Sequence, residues 1–249
     1  MFIHPDWPAP KQIKAMCTTR EGGVSQPPFD SFNLATHVND DPLSVLQNRE
    51  LLRQSAVLPS APFWLDQRHT QDMVCLNDVD SESWQPIVAD AAWTNQKQQV
   101  AVVMTADCLP ILVTNKQGSL VAAIHAGWKG AAEGIVTKSI VALPDRPENL
   151  LVWIGPAIRQ SHFEVGEDVF EAFLSLKAEN ASFFQPLSVQ SELKYLADLP
   201  GLVKSELQDL GVRNIYDSGL CSYENEAQFY SYRRDGQTGR MASLIWITD

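Results

Sequence analysis

The chain has 249 residues, is 45% hydrophobic and 20% charged, and carries a formal net charge of −11. Such a length supports a sizeable core, while the acidic balance excludes a nucleic-acid backbone as partner, because that needs a basic footprint. No run approaches the ~20 apolar residues that span a membrane, and the opening MFIHPDWPAP has neither the basic nor the apolar region of a secretory leader. The cytoplasm is the expected location, with the widely spaced Cys17, Cys75, Cys108 and Cys221 reduced.

Ile13 to Thr19 reads as a strand, followed by a turn at Gly22-Gly23. Asp41-Pro42 opens a helix over Ser44 to Gln54, with Val45, Leu46, Leu51 and Leu52 on one stripe. Phe63-Trp64-Leu65 and Met73 to Leu76 read as short strands on either side of His69. Val100 to Thr105 is a buried strand with Ala106-Asp107-Cys108 at its carboxyl end, and Leu120 to Ile124 is a second, ending at His125. Gly130 to Leu143 reads as a helix and Leu151 to Ile154 as a strand stopped by Gly155-Pro156. Val165 to Leu176 and Glu192 to Leu210 read as helices, and Val212 to Tyr216 and Met241 to Ile247 as strands. Strands and helices alternate, yet several strand connections are short, which predicts an α/β fold with a mixed sheet. No repeat, low-complexity segment or long linker divides residues 1–249, so a single domain is expected.

Strand ends present chemical groups to a crevice, and here they deliver a thiol, Cys108, and an imidazole, His125. The pair suits either a metal site or a nucleophile and its base. If His69, in the polar loop Asp66 to Gln71, joins them, the set is one sulfur and two nitrogens. Three protein ligands with an open fourth position is the pattern of a catalytic zinc, whose water has a pKa near about 7. Asp107 is a candidate to orient a ligand from behind. The metal-free alternative uses Cys108 as nucleophile activated by His125, and the residues alone do not separate the two. A third reading, a binding protein in which these residues are only structural, sits poorly with a thiol and an imidazole at adjacent strand ends. Lys129 follows the small-residue turn Ala126-Gly127 at a helix start, a place that suits an anion. His37 is a candidate to line a cleft, and Trp128 is the tryptophan nearest the site in sequence.

The segments CTTREGGVS (17–25), HVNDDP (37–42), WLDQRH (64–69), VVMTADCLPIL (102–112), IHAGWKG (124–130), IGPAI (154–158), FEVG (163–166) and FYSYRRDGQTGRMASLIW (229–246) occur together and in this order. With them the chain resembles the laccase-domain family, also called multicopper polyphenol oxidases and now regarded as purine nucleoside phosphorylases. The resemblance implies a layered α/β sandwich with a mixed β-sheet, similar to cysteine hydrolases, and a metal set of His69, Cys108 and His125. It implies zinc-dependent phosphorolysis of adenosine, inosine, guanosine and methylthioadenosine, and deamination of adenosine, with nucleoside and phosphate as partners. An amidase role on cell-wall precursors is also linked to the family. Arg49, in the family's Asn-Arg pair, and Lys129 become candidates for the phosphate, and Glu133 and Asp107 for the acid. The older oxidase label implies copper, but five histidines are too few to ligate four coppers. One departure stands out: Thr70 follows His69 where the family has glycine.

Overall fold

The computed structural model describes residues 1–79, 86–189 and 192–249. In chain order its elements are β1 (Phe2–Ile3), β2 (Ile13–Thr18), α1 (Pro42–Ser55), β3 (Met73–Cys75), β4 (Ala91–Thr94), β5 (Val100–Thr105), β6 (Leu109–Asn115), β7 (Val121–Ala126), α2 (Trp128–Ala132), α3 (Ile135–Ala142) and β8 (Leu150–Ile154). They continue with β9 (Glu164–Gly166), α4 (Glu167–Leu174), β10 (Phe184–Val189), β11 (Glu192–Ala197), α5 (Leu199–Asp209), β12 (Asn214–Asp217), α6 (Tyr232–Asp235) and β13 (Met241–Ile247).

Two sheets stack face to face. One has the order β1-β2-β13-β5 and is antiparallel throughout. The other has the order β12-β8-β6-β7-β4-β3 and is mixed, since β12–β8 and β3–β4 are parallel while the pairs between them are antiparallel. Period-two alternation assigns each strand residue to a layer. From β5, Ala101 and Val103 enter the core between the sheets beside Leu112, Ala123 and Trp153. Val100 and Val102 face the other way, packing with Leu34 and Leu52 under α1. On the far side, Ile111, Val113, Ile124 and Val152 pack against Ile135, Ile140, Leu202 and Leu207 of α3 and α5. The result is the expected layered α/β sandwich with a mixed sheet. Both faces of the central strands are covered, so they read as continuous apolar runs. A third, small sheet, β10-β11-β9, flanks α4.

Several expected elements are redrawn. The helix expected from Gly130 to Leu143 is broken, because Gly134 takes φ +91° and ends α2 before α3 begins. The helix expected from Val165 starts at Glu167, because Val165 pairs with Tyr195 in β9–β11. The helix expected from Glu192 begins at Leu199, capped by the Asp198 side chain, and the residues before it form β11 in a hairpin with β10. Phe63 and Asp66 make only isolated bridges, to Ala101 and Val88, in place of a strand. β4, β6 and the β10–β11 hairpin are additional to the elements expected from sequence. No helix among the described residues is long and apolar enough to cross a membrane.

Candidate metal centre

β6 and β7 are antiparallel neighbours in which Leu109 lies opposite Ala126 and Pro110 opposite His125. Cys108, the residue before β6, is therefore delivered to the same edge as His125 at the end of β7. His69 arrives from the loop before β3. One ligand atom from each of His69, Cys108 and His125 lies within 4.8 Å of the others, and this is the one such group among the described residues. The two imidazoles meet edge to face at 4.8 Å between centroids.

The loop carrying His69 is held from both sides. The Gln67 side chain pairs with the Met104 backbone at the end of β5, accepting from its N–H at 2.7 Å and donating to its carbonyl at 2.9 Å. On the other side the buried Asp90 carboxylate accepts from the backbone N–H groups of Arg68, His69 and Thr70. It also accepts from the Thr70 hydroxyl at 2.9 Å and lies 2.7 Å from His125 Nδ1. Within this clamp His69 adopts φ +57°, a left-handed conformation that few non-glycine residues take. The strained turn falls on His69 itself, so the next position needs no glycine, and Thr70 adds a hydroxyl to the Asp90 clamp.

Gly127 has a φ of −73°, open to any residue. A Cβ there would lie 2.6 Å from His69 Nδ1 and 3.0 Å from Cys108 Sγ. Close approach of His69 and Cys108, not the turn, is what requires glycine here.

A carboxylate only accepts, so Asp90 fixes the proton of neutral His125 on Nδ1 and leaves the Nε2 lone pair facing Cys108. Burial opposes charge on His125, but Cys108 and Asp90 together outweigh it and raise its pKa to about 9. Asp90 meets the same opposition from burial, and its hydrogen bonds with His125 and Thr70 bring it down to about 2. His69 moves the other way: burial and the neighbouring His125 depress it. Zinc takes nitrogen at about 2.0–2.1 Å and sulfur at about 2.3 Å. At tetrahedral angles such donor atoms stand about 3.3–3.6 Å apart, so the set would close on an ion with shifts of about an ångström.

The three residues line a pocket of about 430 Å³, together with His37, Trp128, Phe163, Tyr232, Arg233 and Arg240. Arg240 is half-buried, and burial lowers its pKa. Its Nη1 serves the carbonyls of Thr238 and Gly239, while its Nε and Nη2 donate to none of the described residues. His37 is held below its ordinary value by burial and by Arg240.

Other expected residues sit elsewhere. Asp107 lines the pocket but does not orient a ligand: its carboxylate accepts from Ser222 Oγ and the Arg233 N–H, both at 2.7 Å. The supporting carboxylate is Asp90. Its sequence signal is an acidic residue inside the apolar stretch Ile87 to Trp93. Arg49 donates Nε to the Leu34 carbonyl and stacks 3.9 Å over the Trp64 ring. Lys129 is exposed. Both are near enough for their charge to be felt, Arg49 at His37 and Lys129 at His69, but neither lines the pocket. Glu133 is exposed and accepts from Gln71 outside the pocket.

Residues 14–248 match the family model described as multi-copper polyphenol oxidoreductase laccase. The chain belongs to this family. It is 44% identical to the purine nucleoside phosphorylase YfiH of Escherichia coli (strain K12), over 99% of this chain and 98% of that protein. The purine nucleoside phosphorylase of Haemophilus influenzae is likewise 44% identical, with 98% of each chain covered. Among solved structures, a Neisseria meningitidis protein superposes with a TM-score of 0.93 at 42% identity, covering 100% of this chain and 99% of that one. YlmD from Geobacillus stearothermophilus follows with 0.85 at 28% identity, covering 96% and 93%.

Proposed function

We propose that this protein is a zinc-dependent purine nucleoside phosphorylase acting on adenosine, inosine, guanosine and methylthioadenosine, and that the same site deaminates adenosine. The observation that carries the reading is the sulfur and two nitrogens of His69, Cys108 and His125, gathered in a pocket that also holds a guanidinium edge of Arg240 donating to none of the described residues. Relatives 44% identical over their whole length bear the phosphorylase name, which supports it. Two nitrogens and one sulfur with a free fourth position are a zinc donor set. A multicopper oxidase would need several more imidazoles than the two that converge here.

Zinc held by these residues supplies Lewis acidity and lowers the pKa of a water. The chain's own residues do the rest. Arg240, with Arg233 at the mouth, binds phosphate, where a guanidinium edge matches two oxygens; Arg49 and Lys129 add charge from outside the pocket. Trp128 and Phe163 flank the base. In phosphorolysis a phosphate oxygen bonds to the ribose C1′ as the bond from C1′ to the base breaks, and the proton carried by the phosphate passes to the departing base, with His37 of the pocket lining as its relay. Protein purified without an affinity tag should hold about one zinc per chain and convert inosine to hypoxanthine and ribose 1-phosphate only with phosphate present. Cleavage that persists after zinc is stripped by a chelator would remove the metal from the mechanism.

A second reading rests on a specific alignment. Cys108, His125 and Asp90 stand in the order nucleophile, base and orienting carboxylate, with His125 raised to about 9 by its two neighbours against the pull of burial. This would be a metal-free thiol hydrolase acting on amides such as cell-wall precursors. It gives His69 no task, although Gly127 is bare where His69 and Cys108 approach it, so zinc is the better account.

A further inference from the structure

Asp90 is fully buried, with 0% exposure, and its carboxylate gathers five donors. Oδ1 takes the His125 ring at 2.7 Å and the His69 N–H at 3.1 Å. Oδ2 takes the N–H groups of Arg68 at 3.1 Å and Thr70 at 2.6 Å, and the Thr70 hydroxyl at 2.9 Å. Its main chain is tied to the same parts: the Asp90 carbonyl accepts the His125 N–H at 2.7 Å, and the Asp90 N–H donates to Asp72 at 3.1 Å. One side chain therefore joins the end of β7 to the loop before β3, two segments that no direct main-chain pairing connects. We infer that Asp90 is a positioning residue that places two of the three donors, His69 and His125, through a single carboxylate and so sets the affinity of the site for metal. The inference rests on reading His69, Cys108 and His125 as a metal site, but not on the nucleoside chemistry.

The chemistry of an amide shows why Asp90→Asn is informative. Asparagine has one accepting oxygen and one donating nitrogen. If its nitrogen faces His125, the imidazole proton moves to Nε2 and that atom loses its lone pair for the metal. If its nitrogen faces the loop, the N–H groups of Arg68 and Thr70 meet a donor, and the His69 turn opens. Either orientation spoils one ligand, whereas a carboxylate serves both. A carboxylate that only anchors the loop would leave the His125 ligand intact.

The test measures zinc affinity of the metal-stripped full chain by competition with a chromogenic chelator, and records the visible spectrum after cobalt(II) loading. Asp90→Asn should bind zinc about 10–100-fold more weakly, with altered cobalt bands, while its circular dichroism matches the parent. Thr70→Val deletes the hydroxyl that donates to Asp90 at 2.9 Å and accepts from the Asp72 N–H at 3.3 Å, and leaves His125 untouched; a loss of about threefold is expected, the size of one net hydrogen bond. A folded Asp90→Asn protein with zinc affinity within a factor of about two and the parent cobalt spectrum overturns the role of Asp90. If Asp90→Asn does not fold, Thr70→Val decides: weakened binding supports the proposal, and unchanged affinity with unchanged bands overturns it. A parent chain that takes up neither zinc nor cobalt would overturn the metal-site reading itself, a different outcome from either.

Discussion

Gly127 and His69 are in contact through the hydrogen where a side chain would begin: a Cβ on Gly127 would stand 2.6 Å from His69 Nδ1. The backbone of Gly127 accepts any residue, so Gly127→Ala leaves the fold in place and pushes on the ligands alone. Zinc content should fall by at least about tenfold, the cost expected of a displaced ligand shell, while the unfolding midpoint of the metal-free protein stays within about 1 kcal/mol of the parent. Metal analysis beside a urea titration of stripped protein checks both halves. A variant that keeps full zinc content would mean the ligands have more room than the contact allows.

Cys108 separates the two chemistries. Cys108→Ala should abolish both metal retention and nucleoside cleavage in a folded protein. Cys108→Asp keeps an anionic ligand but removes the thiol; residual zinc-dependent activity, on the order of 1% of the parent or more, is expected if zinc does the work. Complete inactivity in a Cys108→Asp protein that still holds zinc would favour the thiol nucleophile. Inosine cleavage and metal content, measured on the same preparations, give the answer.

Arg240→Ala should raise the phosphate KM by about 10–100-fold, the loss of a charge-assisted pair, with zinc content unchanged and phosphate-independent deamination less affected. Lys129→Ala, on an exposed residue, should leave the phosphate KM within about twofold. Arg49→Ala should act through stability, removing the stack on Trp64 and the bond to Leu34 for about 1–2 kcal/mol. A phosphate titration of each variant tests the assignment. A large KM effect in Lys129→Ala with none in Arg240→Ala would reverse it.

Acid sensitivity should trace to Asp217. Burial pushes its carboxyl up, but bidentate Arg159, at 2.7 and 2.9 Å, and Lys204 more than offset this and bring it down to about 2. The folded value lies below the unfolded one of about 3.8, so this stabilisation is present above about pH 4 and is lost as pH falls toward about 2. Its size is roughly 2 kcal/mol. In urea titrations from pH 6 to 2, Asp217→Asn should be less stable than the parent at pH 6, and the gap should close in that acid window. A constant gap across the whole range would remove Asp217 as the cause.

The mixed sheet and the Cys108–His125 pair were legible because they depend on features close in sequence, while the layering and the addition of His69 came from the family resemblance. Val100 to Thr105 and Leu120 to Ile124 announce buried strands by composition, and a thiol and an imidazole at their ends announce chemistry. What escaped depends on partners distant in the chain. The start of β11 reads as helix until the hairpin with β10 claims it, and Gly134 looks harmless in a helix until its left-handed φ ends α2. Asp107 is the acidic neighbour of Cys108 in sequence, yet its carboxylate is spent on Ser222 and Arg233, residues more than a hundred positions away. Asp90 supports the histidines instead, and the pairing of β4 with β7 and with β3 brings it there. Arg49 and Lys129 were candidates by motif and by helix position, while the guanidinium edge in the pocket belongs to Arg240, which lies inside the distinctive segment 229–246 but was given no role there.

β5 lies in the four-stranded sheet and β6 in the six-stranded one, and Cys108 sits in the three residues between them. The sulfur thus lies on the seam where the chain passes from one sheet to the other, while His125 belongs to the second sheet and the His69 loop is tied to both, by Gln67 to the end of β5 and by Asp90 to the start of β4. An ion held there would join this seam to the edge of the six-stranded sheet and to the loop before β3, and its binding would resist opening of that edge more than fraying at the outer layers.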